Sequence, residues 1–411
     1  MNIPIIILCV VLGLIAVRRI GRFRFELWHI MLGGAVAVLI TGQIGLAAAW
    51  HAIDADIMLF LFGVFIVGQA LEESGYLFQL SYKLFRRAKT ADGLILMVLF
   101  GAGLASAFLM NDTLAVIGTP VVLLLAKQHK MPPQVLLLAL AFGVTLGSVV
   151  SPIGNPQNLL VAIHAQLPNP FMAFFSSLAL PTLINLFAAF FILKFFYRAS
   201  FHRQALVHAP PKLQDAGLAR LARWSLLLII GLSLSKILLV FIWPTLDFRL
   251  TYIALISAAP ILLLSPKRAR ILRHIDWRTL VFFGAMFVLM ESVWLSGFFQ
   301  SLLSQWNVNL AAISVVFAVS VLLSQLISNV PMVALYLPLL IHAGASTPAF
   351  LALAAGSTLA GNLFILGAAS NIIIIQSAER KAGQTLGFFE FARVGIPLTL
   401  VNVLIYGLFL I

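Results

Sequence analysis

Charge is what this sequence has least of. Asp, Glu, Lys and Arg make up 9% of its 411 residues, against roughly 25% in soluble globular chains. That leaves no room for a sizeable soluble domain; the largest polar stretch runs from Arg198 to Arg223. Cysteine is nearly absent too. Cys9 stands alone in an apolar run, which excludes an intrachain disulfide and a cysteine metal cluster. The eight histidines show no HExxH or other metal-ligand spacing, and no Walker loop, Gly-x-Ser-x-Gly elbow or dinucleotide fingerprint is present. These absences argue against ATP-driven transport by this chain alone and against a resident cofactor. An intramembrane enzyme is disfavoured because no nucleophile–base or metal pair stands out.

What is present is apolar: 62% hydrophobic residues and a mean hydropathy of +1.08. Runs long enough to cross a bilayer, about 20 residues each, recur from end to end. Full spans are expected at 2–17, 27–49, 55–71, 134–166, 171–197, 224–243, 249–265, 277–292, 348–378 and 394–411. Two further stretches, about 92–127 and 309–343, are too long for one span and are interrupted midway by polar and proline residues. Each reads as a re-entrant hairpin, which is tolerated at membrane depth only when buried in protein or lining a polar cavity. The expected fold is therefore all-α: about ten transmembrane helices plus two re-entrant hairpins.

A net charge of +13 in a soluble protein would suggest nucleic acid. Here the layout explains it, because 24 of the 26 Lys and Arg fall in loops on one side. Only Arg249 lies on the other, and Lys236 lies within a span. Cytoplasmic loops of membrane proteins carry this excess, so both termini are expected outside, in a multi-pass inner-membrane protein facing anionic lipid. The apolar segment Ile3–Val17 precedes its basic cluster Arg18, Arg19, Arg22 and Arg24, the reverse of a cleaved signal peptide. Six of seven tryptophans, Trp28, Trp50, Trp224, Trp243, Trp277 and Trp294, mark span ends, with Trp306 just before the second hairpin.

The chain also repeats itself. Ala139–Gly154 and Ala352–Gly367 share seven of sixteen residues without a gap, and Asn158 then matches Asn371. Upstream, Asn111 and Pro120 match Asn329 and Pro338 at one offset, and Ser74-Gly75 recurs as Ser296-Gly297. Five spans separate corresponding points, so the second copy is inverted. The copies are expected at 1–200 and 224–411, joined by a cytoplasmic linker at 201–223. Inverted repeats with discontinuous helices place transport sites at the repeat interface.

Four polar interruptions carry the candidate chemistry: Met110-Asn-Asp-Thr113, Ser151-Pro-Ile-Gly-Asn-Pro-Gln-Asn158, Ser328-Asn-Val-Pro331 and Gly367-Ala-Ala-Ser-Asn371. Gly and Pro stop helices; Asn, Ser and Thr supply short neutral ligands. Opened helix N-termini suit an anion, and freed carbonyls suit Na⁺. The expected substrate- or ion-binding residues are Asn111, Asp112, Thr113, Gly154, Asn155, Pro156, Asn158, Ser328, Asn329, Pro331, Gly367, Ser370 and Asn371. Asp112, the ionisable candidate at a tip, is expected to serve as a cation or proton ligand, as an N-cap of the hairpin's second arm, or as both. Glu291 and Lys236 are the other charges within spans. The stretch Leu77–Thr90 is expected to lie along the inner surface, with a counterpart near Phe298–Trp306.

At these motifs the sequence resembles the ion-transporter superfamily, most closely its arsenite/antimonite permeases, citrate–metal transporters and related anion permeases. The matching elements are Asn111-Asp112-Thr113 with Thr119-Pro120, Ile153–Asn158, Asn329-Val-Pro331 and Gly367–Asn371. The resemblance implies an elevator-type secondary transporter for a small anion or oxyanion, coupled to H⁺ or Na⁺, and a homodimer. In related sodium–dicarboxylate symporters the tips carry Ser-Asn-Thr motifs; here Asp112 follows Asn111 and Pro331 stands in place of Thr. Arsenite/antimonite efflux, Na⁺/H⁺ antiport and a channel remain the alternatives.

Overall fold

The computed structural model describes residues 2–17, 19–20, 23–165, 167, 169–201, 213–242, 249–298, 301 and 309–411, without the side chains of 16–24, 236–242, 250, 327 and 331. Arg18, Arg22, Arg203, Lys212, Trp243, Trp306, most of the expected linker and most of the surface segment expected near 298–306 lie outside the described residues, as do the side chains of Lys236 and Pro331. Nineteen α-helices account for most of the described chain; a two-residue ladder pairs Arg19–Ile20 with Phe23–Arg24. Among the described residues, six helices are long and apolar enough to cross a membrane on their own, and six more apolar helices are shorter.

The helices sort into two packed bodies. The first contains α1 (Ile3–Val17), α2 (Leu27–Ile40), α3 (Leu46–Ala52), α4 (Ala55–Glu73), α5 (Tyr76–Phe85), and α11 (Ala216–Ile242) to α14, namely α12 (Leu250–Leu264), α13 (Arg268–His274) and α14 (Trp277–Leu295). Within it α4 packs on α12 and α11, and α14 on α2. The second contains hairpin 1 (α6, Ala91–Leu109, and α7, Asn111–Gln128), α8 (Pro133–Ser148), α9 (Pro156–His164) and α10 (Pro170–Phe196). It also contains hairpin 2 (α15, Ile313–Ile327, and α16, Asn329–His342), α17 (Thr347–Leu363), α18 (Ala369–Ala382) and α19 (Phe388–Leu410). Its main contacts are α6 on α8, α15 on α17, α7 on α18, and α10 and α17 on α19.

Local sequence explains the starts of these elements. Side chains of Asp54, Thr90, Asn155, Asn169 and Asp276 accept backbone N–H bonds at the heads of α4, α6, α9, α10 and α14. Proline opens α8, α9 and α10, where its missing N–H removes no helical bond. One expected span is divided: 27–49 breaks into α2 and α3 at Thr41–Gly45, where Gly42 takes a left-handed φ of 68° and ends the helix.

Paired local geometries appear at the repeated motifs. Ser74 and Ser296 each return a hydroxyl bond to the carbonyl three residues back and accept the N–H two residues on. Each is followed by a glycine with positive φ.

Candidate functional site

Both hairpins turn on one residue, Met110 (φ 60°) and Ser328 (φ 69°). A side chain other than glycine in this region costs on the order of 1–3 kcal/mol, and such strain gathers at functional sites. Directly after each turn an asparagine opens the returning helix. The Asn111 N–H donates to Gly154 O at 3.1 Å, fastening the first tip to the first helix break. Asp112 is the second residue of α7, and no side chain caps that helix, so the N-cap role considered from sequence is not the one it has. Asn111, Asp112 and Asn329 are each more than nine-tenths buried. Their Oδ1 atoms have no hydrogen-bond partner among the described residues.

The breaks are held by their own amides. Asn155 Oδ1 accepts the Asn158 N–H at 2.8 Å, and its Nδ2 donates to Ser148 Oγ and Thr358 Oγ1, both at 3.1 Å. Asn158 Nδ2 donates to Ser148 O at 3.0 Å and Ser151 O at 3.1 Å. In the second break Asn371 Nδ2 donates to Gly361 O at 2.5 Å, the repeat's counterpart of Ser148. A Cβ on Gly154 would lie 2.2 Å from Ser148 O, and one on Gly367 2.0 Å from Ala360 O. Only glycine allows the chain to fold back this closely.

Between the bodies lies a cavity of about 490 Å³. Of the residues expected from sequence, Asn111, Asp112, Pro156, Ser328 and Asn329 line it. Thr113, Asn155, Asn158, Ser370 and Asn371 are buried behind this wall, and Gly154 and Gly367 sit within the breaks. Sequence reasoning passed over Gln157, which lines the cavity beside Pro156. The opposite wall is formed by Phe283, Met286, Phe287, Met290, Glu291 and Trp294 of α14; of these, only Glu291 stands out in the sequence, as a charge within a span. Their spacing of three and four residues is one helical stripe, a signal readable in the sequence once α14 is known to face the site. Asp54, Asp56, Arg249 and Thr251 form the mouth.

The charges in the cavity fall at two depths. Four helices, α7, α9, α16 and α18, begin at its wall, through Asn111, Pro156, Asn329 and Ala369. A helix N-terminus carries roughly half a positive charge, so four sum to about two. Against these stand the Asp112 carboxyl at the tips and the Glu291 carboxyl on the facing wall. At the mouth Arg249 pairs with Asp56 at 3.0 Å, the Thr251 hydroxyl donates to Asp56 at 3.1 Å, and Asp54 is engaged as the cap of α4. The helix ends therefore offer a place to an anion and the two carboxyls one to a cation, while the mouth is close to balanced.

A helical protein with apolar spans, paired hairpins and broken helices around one internal cavity belongs to the membrane transporters. The profile of the citrate transporter family matches residues 10–356, and the chain is a member of that family. An uncharacterized transporter of Mycobacterium tuberculosis is 30% identical over 95% of this chain and 94% of its own. A silicon efflux transporter of Oryza sativa is 28% identical over 90% of this chain and 89% of its own. Among solved structures, the Alcanivorax borkumensis YdaH transporter aligns over 98% of this chain and 95% of its own, at 17% identity and a TM-score of 0.48.

Proposed function

We propose that this protein is a secondary active transporter of the elevator type, moving a small anion or oxyanion with H⁺ or Na⁺ as the coupling ion. The observation that carries the reading is the convergence of four helix N-termini on a cavity whose single tip carboxyl, Asp112, has a buried oxygen without a partner. The helix ends attract the anion; the Asp112, Asn111 and Asn329 oxygens, all acceptors, suit the coupling cation. Each charge then offsets the other, and neither solute is held well alone. No other cofactor is proposed.

The paired tips and breaks support two inverted copies, 1–200 and 224–411. The body of hairpins and broken helices carries the solute and the other body serves as scaffold. The segregation of basic residues supports a cytoplasmic location for the end holding Lys381 and Arg270, which leaves the cavity open to the outside. An inner membrane location and a homodimer rest on the resemblance and the charge pattern.

A second reading, cation antiport, is favoured by the presence of Asp112 and Glu291 in one cavity. Binding separates the two. In a thermal-shift panel of Na⁺, arsenite and citrate, a ligand of the folded state raises the melting point by mass action. The transporter reading expects an anion shift that grows with Na⁺ or acid and is lost in Asp112→Asn and Asn329→Ala. Antiport expects cation shifts with no anion dependence. If both variants keep wild-type shifts, the site assignment fails.

A further inference from the structure

The two bodies part at one end and are fastened at the other. At the Asp54 end they enclose about 490 Å³; at the opposite end the space between them is about 20 Å³, bounded by Gln69 and Glu72 of α4, Val116 of α7, Asp276, and Ser377 and Lys381 of α18. Four polar contacts cross there, all from α18. Lys381 Nζ donates to Glu72 Oε2. Arg380 donates to His274 O at 2.6 Å and approaches Asp276 Oδ2 at 3.9 Å. Gln376 Oε1 accepts the Thr279 hydroxyl at 2.8 Å. Glu72 is 24% and Lys381 16% exposed, so this pair is far less screened than a surface ion pair.

We infer that Lys381 and Glu72, with Arg380 and Asp276, form an ionic latch that closes this end of the transporter and must release each time the body carrying the hairpins moves. The inference rests on the two-body reading above. α18 begins at the solute cavity, with Ala369 in its wall, and ends at the latch. One rigid fourteen-residue helix thus joins the site to the fastening. Removing one partner leaves the other charge part-buried and without its counter-ion, which destabilises the closed arrangement.

The test uses Cys9→Ala protein in lipid nanodiscs carrying one reporter thiol, introduced as Ser377→Cys or as Val116→Cys. Both positions lie in the small space but on different elements of the moving body. Reaction with a polar maleimide reads the fraction of time the end is open. Glu72→Gln and Lys381→Met should each raise the labelling rate of the Ser377→Cys reporter roughly tenfold, within the range usual for conformational coupling. The exchanged pair Glu72→Lys with Lys381→Glu should return it toward the parent rate. Rates within twofold of the parent in both single variants, or a rate that stays high in the exchanged pair, would overturn the latch. The Val116→Cys reporter isolates the underlying reading: a parallel rise is expected if the body moves as a unit. A rise at the Ser377→Cys reporter alone contradicts two-body motion while leaving the charge pairing intact.

Discussion

At the hairpin tips and breaks, single atoms decide what the chain tolerates. Gly154→Ala forces a Cβ to within 2.2 Å of Ser148 O, a backbone atom that cannot turn aside. We expect a loss of about 2 kcal/mol or more, seen as a lower unfolding temperature in detergent. Gly13→Ala, in open space on α1, should leave that temperature within error or raise it. Ser328→Gly should do the opposite of Gly154→Ala. It relieves a φ of 69° and should raise thermal stability, while removing a hydroxyl from the cavity wall. The tip and break residues were legible because Asn, Asp and Pro inside an apolar run are costly unless the helix opens there. Which of them reach the cavity was not legible. Asn155 and Asn158 are chemically equal to Asn111 and Asn329, and only the fold turns the first two inward to hold the break.

Helices meet through polar contacts that composition hides. Asn402 Nδ2 donates to Asn185 Oδ1 at 2.7 Å, and Asn362 Nδ2 donates to Asn402 Oδ1 at 3.0 Å, linking α10, α19 and α17 at fully buried positions. The first pair joins repeated stretches, Thr182-Leu-Ile-Asn185 and Thr399-Leu-Val-Asn402, a recurrence that a search confined to the breaks does not reach. A double-mutant cycle on Asn185→Leu and Asn402→Leu should return a coupling of about 0.6–1.7 kcal/mol, the range for hydrogen bonds between membrane helices. A value near zero would remove this contact as the tie between α10 and α19. The head of α11 supplies a pH test. Lys267 donates to Asp215 at 2.5 Å and the Leu218 N–H at 2.9 Å, and together they hold the Asp215 carboxyl below its ordinary range. A depressed carboxylate stabilises the fold above its unfolded pKa, and that contribution is lost as pH falls through the folded value. Asp215→Asn should therefore lower thermal stability at pH 7 and have a shrinking effect as the medium becomes acid below about pH 4. The division of 27–49 escaped sequence reading because Ala and Leu flank the turn on both sides. The glycine at φ 68° is what separates α2 from α3.

For the molecule as a unit, helix class and repetition were open to reading because period and spacing record them directly. The partition into two bodies was not, since it depends on which apolar faces meet. Nor was the value of α14 as the far wall, whose Met and Phe stripe is indistinguishable in sequence from ordinary helix packing. The charge balance changed most. No basic residue stands at a tip or break, so in sequence the anion rested on the resemblance more than on the residues. In the fold, four helix N-termini at one cavity give the proposed anion a physical reason, and Asp112 gives one for the proposed coupling cation. Coupled accumulation in proteoliposomes tests this most directly, with labelled citrate and arsenite as probes and an imposed inward Na⁺ or H⁺ gradient. The account predicts that one probe rises above its external concentration only while the gradient lasts, and that Asp112→Asn abolishes the accumulation. Uptake that merely equilibrates, whatever the gradient and with or without Asp112, would contradict it and identify a channel.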